Sequence, residues 1–299
     1  MTADTLTGRT IAGYHLTRYV GEGGTATVYR AEHPERGVAA VKILRARLAQ
    51  DPVAVKRFLR EAEYGARIHH PNIVQTYDYG QADGLHYLAL EWAEGEPLAK
   101  FVNRSGNLAP SLVAKIVEQI GAALTAAHRA GIIHRDLKPA NIMYDPAQQT
   151  AKLLDFGIAR DAEMSPEERL TRAGFFVGTL QYVAPETLSG ELVNEQADVY
   201  SLATITYYLL TGALPFLGKS PRELFQQLLT QPPVKLNEAR RGLRFPPAVE
   251  STVMQGLERD LSKRCRTVEE FARAFCAAVQ DEPSKRPGFF AGLFRKGGE

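Results

Sequence analysis

A carboxylate, an ammonium group and an amide lie close together in the run His134-Arg135-Asp136-Leu137-Lys138-Pro139-Ala140-Asn141. A carboxylate can orient a hydroxyl nucleophile and accept its proton, and a cation can neutralise a phosphoryl group during its transfer. An amide oxygen can bind the metal ion that accompanies the phosphates. Asp136, Lys138 and Asn141 therefore predict a phosphotransfer site in the loop that follows a long helix.

A second candidate metal ligand is Asp155, which lies at the end of a predicted apolar strand in the run Lys152-Leu153-Leu154-Asp155-Phe156-Gly157. Mg²⁺ prefers oxygen ligands and is usually held by one or two carboxylates together with substrate phosphates. The tripeptide Asp-Phe-Gly is common by itself. Asp155 therefore becomes a candidate only in combination with the other motifs.

A glycine-rich turn, Gly21-Glu22-Gly23-Gly24, lies between two predicted strands. Glycines let backbone N–H groups approach phosphate oxygens without a side chain in the way. A simple hairpin turn explains the pattern equally well, and Ala26 stands where the usual pattern has a third glycine. The turn opens no helix and no Gly-Lys-Ser/Thr follows, which excludes a dinucleotide fingerprint and a Walker loop.

Lys42 lies inside an apolar strand pattern, Ala39–Leu44, where a lysine is costly to bury unless it is paired. An edge-strand lysine that faces water is one explanation. The alternative is a cation held for phosphates, with its position set by a carboxylate. Glu61 on the following helix is the preferred partner because it falls on the apolar side of that helix, and Glu63 is the other candidate.

The elements around these residues divide the chain into a strand-rich part and, after Gly95, a mainly helical part. The single helix of the first part is predicted to begin at Asp51-Pro52, since Asp caps helix N-termini and Pro favours the first position. Apolar spacing predicts the strands Tyr14–Val20, Thr27–Ala31, Gly37–Leu44, Ile73–Tyr79 and Leu85–Leu90, and helical segments over 112–127, 197–210, 222–229 and 268–279.

The composition excludes several classes of protein. With 36 basic and 34 acidic residues among 299, the net charge of +2 argues against nucleic acid as a partner. Cys265 and Cys276 suit neither a disulfide framework nor a metal site, so reduced packing thiols are expected. Residues 1–13 lack a signal-peptide pattern, and no run approaches the roughly 20 apolar residues of a transmembrane segment. A cytoplasmic location is therefore expected.

Taken together, the motifs resemble the protein-kinase superfamily in kind and in order, over about Tyr14 to Val279. Two phrases, Gly131-Ile132-Ile133 and Ile158-Ala159-Arg160, are similar to those of bacterial eukaryotic-like serine/threonine kinases. The resemblance implies ATP and Mg²⁺ (or Mn²⁺) as cofactors and proteins as substrates. The matching motifs are Gly21–Val28, Lys42, Glu61, His134–Asn141, Asp155–Gly157 and Ala184-Pro185-Glu186.

The resemblance implies a role for each matching residue of the phosphate site. Lys42 would hold the α- and β-phosphates and pair with Glu61. Asp136 would be the catalytic base, and Lys138 would neutralise the moving γ-phosphate. Mg²⁺ would be bound by Asn141 and Asp155.

An adenine pocket between the lobes is also implied by the resemblance. Leu90 would be the gatekeeper at its back, and the backbone of Glu91 and Ala93 would hydrogen-bond to the base. The turn Gly21-Glu22-Gly23-Gly24 would lie over the phosphates. Three apolar side chains would sandwich the adenine ring, those of Val28, Ala40 and Met143.

Substrate preference and structural support are implied in the same way. Thr179 would hydrogen-bond to the catalytic Asp and Lys, an arrangement that favours serine and threonine over tyrosine. Asp198 would be a buried anchor for the catalytic loop, and Arg264 would pair with Glu186. Without the resemblance, these charged residues would be interpreted as a helix cap or as surface charges.

Regulation is expected at the activation loop, from Asp155 to Glu186. Arg135, immediately before the catalytic Asp, marks kinases that are activated by phosphorylation of this loop. The loop contains three candidate acceptors, Ser165, Thr171 and Thr179. Thr171 is our preferred acceptor, because its phosphate could make charge-assisted hydrogen bonds to Arg135 and Arg160. A solvated loop residue is the alternative for Thr171. Autophosphorylation would require a transient dimer.

The predicted fold class is α+β, a bilobal protein-kinase fold with an antiparallel N-terminal sheet plus one helix and a mainly helical C-terminal lobe. Two rival functions share this fold: a pseudokinase scaffold and a small-molecule phosphotransferase. The predicted boundaries are a leader over 1–13, a catalytic domain over 14–280 (N-lobe 14–90, hinge 91–95, C-lobe 96–280) and a flexible basic and apolar tail over 281–299.

One position departs from the pattern. Gly65 lies one turn beyond Glu61, where the family has an apolar residue that packs onto Phe156. A glycine there loses packing and about 1 kcal/mol of helix propensity. We therefore expect a helix that is easily displaced, and a Gly65→Leu variant with higher basal activity.

Overall fold

An antiparallel sheet of six strands, in the order β1-β2-β3-β4-β6-β5, forms the N-terminal lobe. The computed structural model describes residues 6–154, 180–189 and 193–281. A three-stranded sheet, β7-β8-β9, and most of the helices form the C-terminal lobe, so the predicted bilobal α+β fold is confirmed. The strands are β1 Thr10–Ile11, β2 Tyr14–Glu22, β3 Ala26–His33, β4 Gly37–Leu44, β5 Thr76–Ala82, β6 Leu85–Glu91, β7 Glu96–Pro97, β8 Ile142–Asp145 and β9 Thr150–Leu153.

Two of the predicted helices, Pro52–Ala66 and Val268–Gln280, begin directly after a capping side chain. Asp51 accepts a hydrogen bond from Val53 N at 2.9 Å, and Thr267 accepts one from Glu270 N at 3.1 Å. Helices α2 and α7 were not predicted from the sequence, and each starts after a proline without a side-chain cap. The helices are α1 Pro52–Ala66, α2 Leu98–Ser105, α3 Pro110–Arg129, α4 Pro185–Ser189, α5 Gln196–Thr211, α6 Pro221–Thr230, α7 Pro247–Gly256 and α8 Val268–Gln280.

Strand β5 runs from Thr76 to Ala82, three residues later than the sequence predicts. The reason is the turn Asp83-Gly84, whose residues have φ of 50° and 74°. An Asp-Gly pair with positive φ joins two strands as a two-residue hairpin, so β5 and β6 pair up to Ala82 and Leu85. Ile73, where the strand was expected to start, instead makes an isolated parallel bridge with Leu153.

The sheet also begins earlier than expected. Thr10 and Ile11 pair with His15 and Tyr14 as strand β1, and Ile11 is fully buried. Part of the segment that was predicted to be a leader therefore packs into the N-terminal lobe.

Helix α5 is the centre of the C-terminal lobe. Nearly all of its side chains are buried, as its continuous apolar pattern predicts. It ends at Gly212, whose left-handed φ of 68° is typical of a helix C-cap. Helices α3, α7 and α8 pack against α5, so the loop that follows α3 lies close to the first turn of α5. Within residues 6–154, 180–189 and 193–281, the helices are too short or too polar to cross a lipid bilayer.

Candidate active site

The loop after helix α3 brings three of the predicted chemical groups into contact. The Lys138 Nζ atom lies 2.9 Å from Asp136 Oδ2. Asn141 Nδ2 donates to the same oxygen at 3.2 Å and to the Asp136 backbone carbonyl at 2.9 Å. Two donors on one carboxylate oxygen hold the Asp136 side chain, which is 9% exposed, in a fixed orientation.

The base of this loop is held by Asp198 in the first turn of α5. Its buried carboxylate accepts hydrogen bonds from His134 N at 2.8 Å and from Arg135 N at 3.0 Å. Burial alone would raise the pKa of Asp198, but the hydrogen bond from His128 and the adjacent His134 outweigh burial and lower the pKa. Asp198 therefore stays ionised and can hold two successive backbone N–H groups.

His128 is a supporting residue that the sequence analysis did not identify. Its Nε2 lies 2.8 Å from Asp198 Oδ2, and its Nδ1 lies 3.6 Å from Glu195 Oε2. The His128 side chain is only 4% exposed and lies at the end of the apolar stripe of α3. A histidine in the last turn of a buried helix, just before a polar loop, was the available signal.

Lys42 and Glu61 form an ion pair across the N-terminal lobe, with Nζ 3.5 Å from Oε1. Their side chains are only 15% and 24% exposed, so the charges are partly shielded from water. Glu63, the other candidate, pairs with Arg67 in the next turn of α1. The structure therefore brings together the pair that was preferred from the sequence.

Strand register places the adenine-pocket candidates of the N-terminal lobe on one face of the sheet. Val28 lies opposite Lys42 on the neighbouring strand, and Ala40 lies opposite Leu90. Cross-strand partners and residues two apart share a face. Met143, from the other lobe, lies on β8 opposite Pro97 and Lys152.

The hinge begins at Glu91, whose backbone N–H donates to Gln75 O at 2.8 Å. The backbone of Glu91 could therefore accept a hydrogen bond from a base through its carbonyl oxygen, while its N–H is already used. The Glu91 carboxylate accepts from Gln75 N at 3.2 Å and contacts Lys152 Nζ, which links the hinge to β9. The hinge ends at Gly95, whose backbone packs so closely against β8 that an added Cβ would lie 2.2 Å from Tyr144 O. Ala93 packs at the edge of the apolar cluster between the sheet and α1.

The glycine-rich turn joins β2 and β3. Gly21 pairs with Val28, Glu22 pairs with Thr27, and Gly23 N donates to Ala26 O at 2.8 Å. Ala26 is buried in the cluster between the sheet and α1. Packing of its methyl group explains why alanine replaces the third glycine of the usual pattern.

Glu186 and Arg264 form a buried bidentate ion pair, with distances of 2.6 and 3.1 Å. Arg264 also donates to Glu258 O and Gln196 O, and its guanidinium lies 5.1 Å from the centre of the Tyr200 ring. This network ties the start of α4 to the loop before α8. Glu186 is thus a structural residue, as the sequence led us to expect, and its alternative as a surface charge is excluded.

Several predicted residues lie outside the described part of the chain: Asp155, Phe156, Gly157, Arg160, Ser165, Thr171 and Thr179. Leu154, the last described residue before this gap, contacts the catalytic loop, since its backbone N–H donates to Asn141 O at 2.8 Å.

The Asn141 side chain is compatible with a divalent ion. Its amide nitrogen points to Asp136, which leaves its side-chain oxygen as a possible ligand. An amide oxygen is, like a carboxylate, the kind of oxygen ligand that Mg²⁺ prefers. Within residues 6–154, 180–189 and 193–281 there is no cluster of three His, Cys, Asp or Glu side chains that would hold a metal elsewhere.

Gly65 lies where α1 approaches β5 closely. A Cβ at Gly65 would lie only 2.8 Å from Thr76 Oγ1. The cavity beside Gly65 measures about 20 Å³, room for no more than a water molecule. A larger side chain at position 65 would therefore displace the Thr76 side chain or the helix, and the expectation that α1 is easily displaced stays a prediction.

Comparison with known proteins agrees with this geometry. The family model described as "Protein kinase domain" matches residues 14–291. Serine/threonine-protein kinase pkn3 of Myxococcus xanthus is 38% identical over 93% of the chain and 52% of its own length. PknH of Mycobacterium bovis is 37% identical over 93% of the chain and 46% of its own length. The chain thus spans about half the length of these curated relatives.

Among solved structures, the chain is similar to the kinase domain of Mycobacterium tuberculosis PknI. That crystal structure superposes with a TM-score of 0.70 at 30% sequence identity. The match covers 91% of the chain and 98% of the PknI kinase domain.

Proposed function

Since the chain belongs to the protein kinase domain family, we propose that it transfers the γ-phosphate of ATP to serine and threonine hydroxyl groups of protein substrates. The observation that carries this proposal is the contact of Lys138 Nζ with Asp136 Oδ2 at 2.9 Å, next to Asn141. It supports the proposal because a carboxylate, a cation and an amide lie together in one loop.

Asp136 would orient the attacking hydroxyl and accept its proton as the oxygen–phosphorus bond forms. Lys138, beside the same carboxylate, would neutralise charge on the phosphoryl group as the bond to the β-phosphate oxygen breaks. Lys42, held by Glu61, would bind the α- and β-phosphates. The ion pairs of Lys42 with Glu61 and of Lys138 with Asp136 support these roles.

Mg²⁺ would be held by Asn141 and Asp155, and Mn²⁺ could take its place. The ion would supply charge neutralisation for the ATP phosphates. Adenine would bind between Val28 and Ala40 on one side and Met143 on the other, with Leu90 at the back of the pocket. The backbone of Glu91 and Ala93 would hydrogen-bond to the base.

Regulation by autophosphorylation is the finer part of the proposal. The Arg135 Nε atom is buried and has no hydrogen-bond partner among the described residues. A phosphate on Thr171 would give it a charged acceptor, while Thr179 would contact Asp136 and Lys138. Transfer between two copies in a transient dimer would supply that phosphate. We also propose a cytoplasmic location for the protein.

The two rival functions make different predictions for one assay. The protein is incubated with γ-labelled ATP and Mg²⁺, alone or with a generic protein substrate, followed by phosphoamino-acid analysis. The proposal predicts label on serine and threonine in both samples. A pseudokinase would label nothing, and a small-molecule kinase would leave both proteins unlabelled while it transfers phosphate to a small acceptor.

A further inference from the structure

The segment Arg45–Arg47, which follows β4, contacts the tip of the glycine-rich turn. Three successive carbonyl oxygens of the tip accept hydrogen bonds from it: Gly23 O from the Arg45 guanidinium at 3.3 Å, Gly24 O from the Arg47 guanidinium at 3.0 Å, and Thr25 O from the Arg45 backbone N–H at 3.0 Å.

These contacts determine which way the peptide groups of the tip face. In a planar trans peptide, the C=O of one residue and the N–H of the next point in opposite directions. The N–H groups of Gly24, Thr25 and Ala26 therefore point away from the arginines. Successive N–H groups on one side of a loop form a concavity that binds anions.

Arg45 also neutralises a charge that would oppose a triphosphate. The Glu22 carboxylate lies in the same turn, 2.7 Å from Arg45 Nη1. The two side chains are 21% and 26% exposed, so water screens the Glu22 charge only in part. An Arg45→Ala substitution would remove this positive charge from beside Glu22.

Packing does little to hold the turn. Residues 22–25 are exposed, and a Cβ added at Gly21 would meet no atom within 4 Å. The polar contacts from Arg45 and Arg47 therefore restrain a segment whose backbone would otherwise be free to move. Their loss should loosen the turn without unfolding the lobe.

We propose that Arg45 is a positioning residue for ATP, assisted by Arg47. It holds the carbonyl groups of the turn so that the opposite N–H groups face the phosphates, and it cancels the charge of Glu22. This inference rests on the proposed function, since ATP is the ligand which that function requires. Arg45 acts through the turn and does not touch the reacting atoms.

The test compares Arg45→Ala with Arg18→Ala, in which an exposed arginine of the same sheet is removed. Hydrogen exchange of residues 21–26 is measured without nucleotide, and the Kd for ATP·Mg²⁺ is measured with a fluorescent ATP analogue. For Arg45→Ala we expect faster exchange in the turn, and a Kd and a KM for ATP that rise about five- to tenfold. We expect kcat within about twofold of the wild type and an unchanged urea midpoint.

A double variant separates the two roles of Arg45. We expect the double variant Glu22→Gln/Arg45→Ala to recover part of the ATP affinity, because the uncompensated carboxylate is removed. Hydrogen exchange of residues 21–26 should stay as fast as in Arg45→Ala, because the contacts to the turn are still missing. Arg45→Ala with wild-type Kd and wild-type exchange would overturn the proposal, as would an equal loss of affinity in Arg18→Ala.

The outcome also separates this inference from the proposed function. A wild type that binds ATP·Mg²⁺ but transfers no phosphate would remove the proposed function, while the Arg45→Ala effects on binding and exchange would still stand. A wild type that labels proteins, together with an Arg45→Ala variant of unchanged affinity, would remove this inference alone.

Discussion

The buried carboxylate of Asp198 accepts a hydrogen bond from the backbone N–H of Arg135 at 3.0 Å. Arg135 has a left-handed backbone conformation, with φ of 61°. Such a conformation costs a non-glycine residue about 1–3 kcal/mol and persists only where the surroundings enforce it. The position of the catalytic loop therefore depends on helix α5, which lies outside the loop.

Replacing Asp198 should destabilise the protein in a pH-dependent way. In Asp198→Ala, His128 and the N–H groups of His134 and Arg135 lose their acceptor, which should lower the free energy of unfolding by about 2–4 kcal/mol at pH 7. The folded-state pKa of Asp198 is lowered from 3.8. Its stabilisation is therefore present above pH 3.8 and is lost as the pH falls through the folded-state pKa.

Urea unfolding of the wild type and Asp198→Ala between about pH 5 and pH 3 measures this dependence. The difference in unfolding free energy should narrow as the pH falls. A difference that stays constant over this range would show that the Asp198 carboxylate does not carry the stabilisation.

The ion pair between Glu186 and Arg264 should be costly to break from one side. Glu186→Ala leaves a buried guanidinium without its carboxylate, and the unfolding free energy should fall by about 3–5 kcal/mol. Glu186→Ala with Arg264→Met removes both charges and should recover part of that loss. Chemical denaturation measures both variants, and a single variant within about 1 kcal/mol of wild type contradicts the account.

Gly65→Leu should lower kinase activity rather than raise it. A leucine side chain cannot fit against Thr76 and a cavity of about 20 Å³, so it should push α1 away from the sheet and separate Glu61 from Lys42. We expect a rise in KM for ATP and a loss of kcat of at least about tenfold.

Two variants with a smaller added side chain serve as the control: Gly65→Ala, which adds only the Cβ, and Gly65→Ala/Thr76→Ala, which also removes the hydroxyl that this Cβ would meet. Removing the Thr76 hydroxyl should relieve the contact and restore activity to the double variant. Full activity in Gly65→Leu would mean that the close approach of α1 and β5 is not needed.

Thr171→Ala should lower activity and remove most of the autophosphorylation signal. The expected cause is the loss of a phosphate that would pair with the Arg135 guanidinium, whose Nε atom is buried. Phosphopeptide mapping of protein incubated with ATP·Mg²⁺ checks this, with Ser165→Ala as the matched loop variant. Unchanged activity together with an unchanged map would exclude Thr171 as the regulatory site.

Much of the fold and of the catalytic loop could be predicted because the signals are local. The Asp51-Pro52 cap marks the start of α1, and the apolar side of that helix distinguishes Glu61 from Glu63. Asp136, Lys138 and Asn141 are close in space because they are close in sequence.

Several contacts between distant segments were not predicted from the sequence. The hydrogen bond of His128 to Asp198, the contact of Arg45 with Glu22 and the approach of Thr76 to Gly65 each join elements far apart in the chain. Local spacing does not encode such pairs. The close neighbour of Gly65 was not foreseen for that reason, since a missing side chain and a close neighbour look the same in one sequence.

We propose that Asp136 is the base for phosphate transfer to protein hydroxyls. The direct test is the initial rate of ³²P transfer from ATP·Mg²⁺ to a generic protein substrate, for the wild type and for Asp136→Asn, with the Kd for ATP measured in parallel. We expect Asp136→Asn to be slower on the order of 10²–10⁴-fold, at nearly unchanged ATP affinity. An Asp136→Asn variant that transfers phosphate at the wild-type rate would show that Asp136 is not the base.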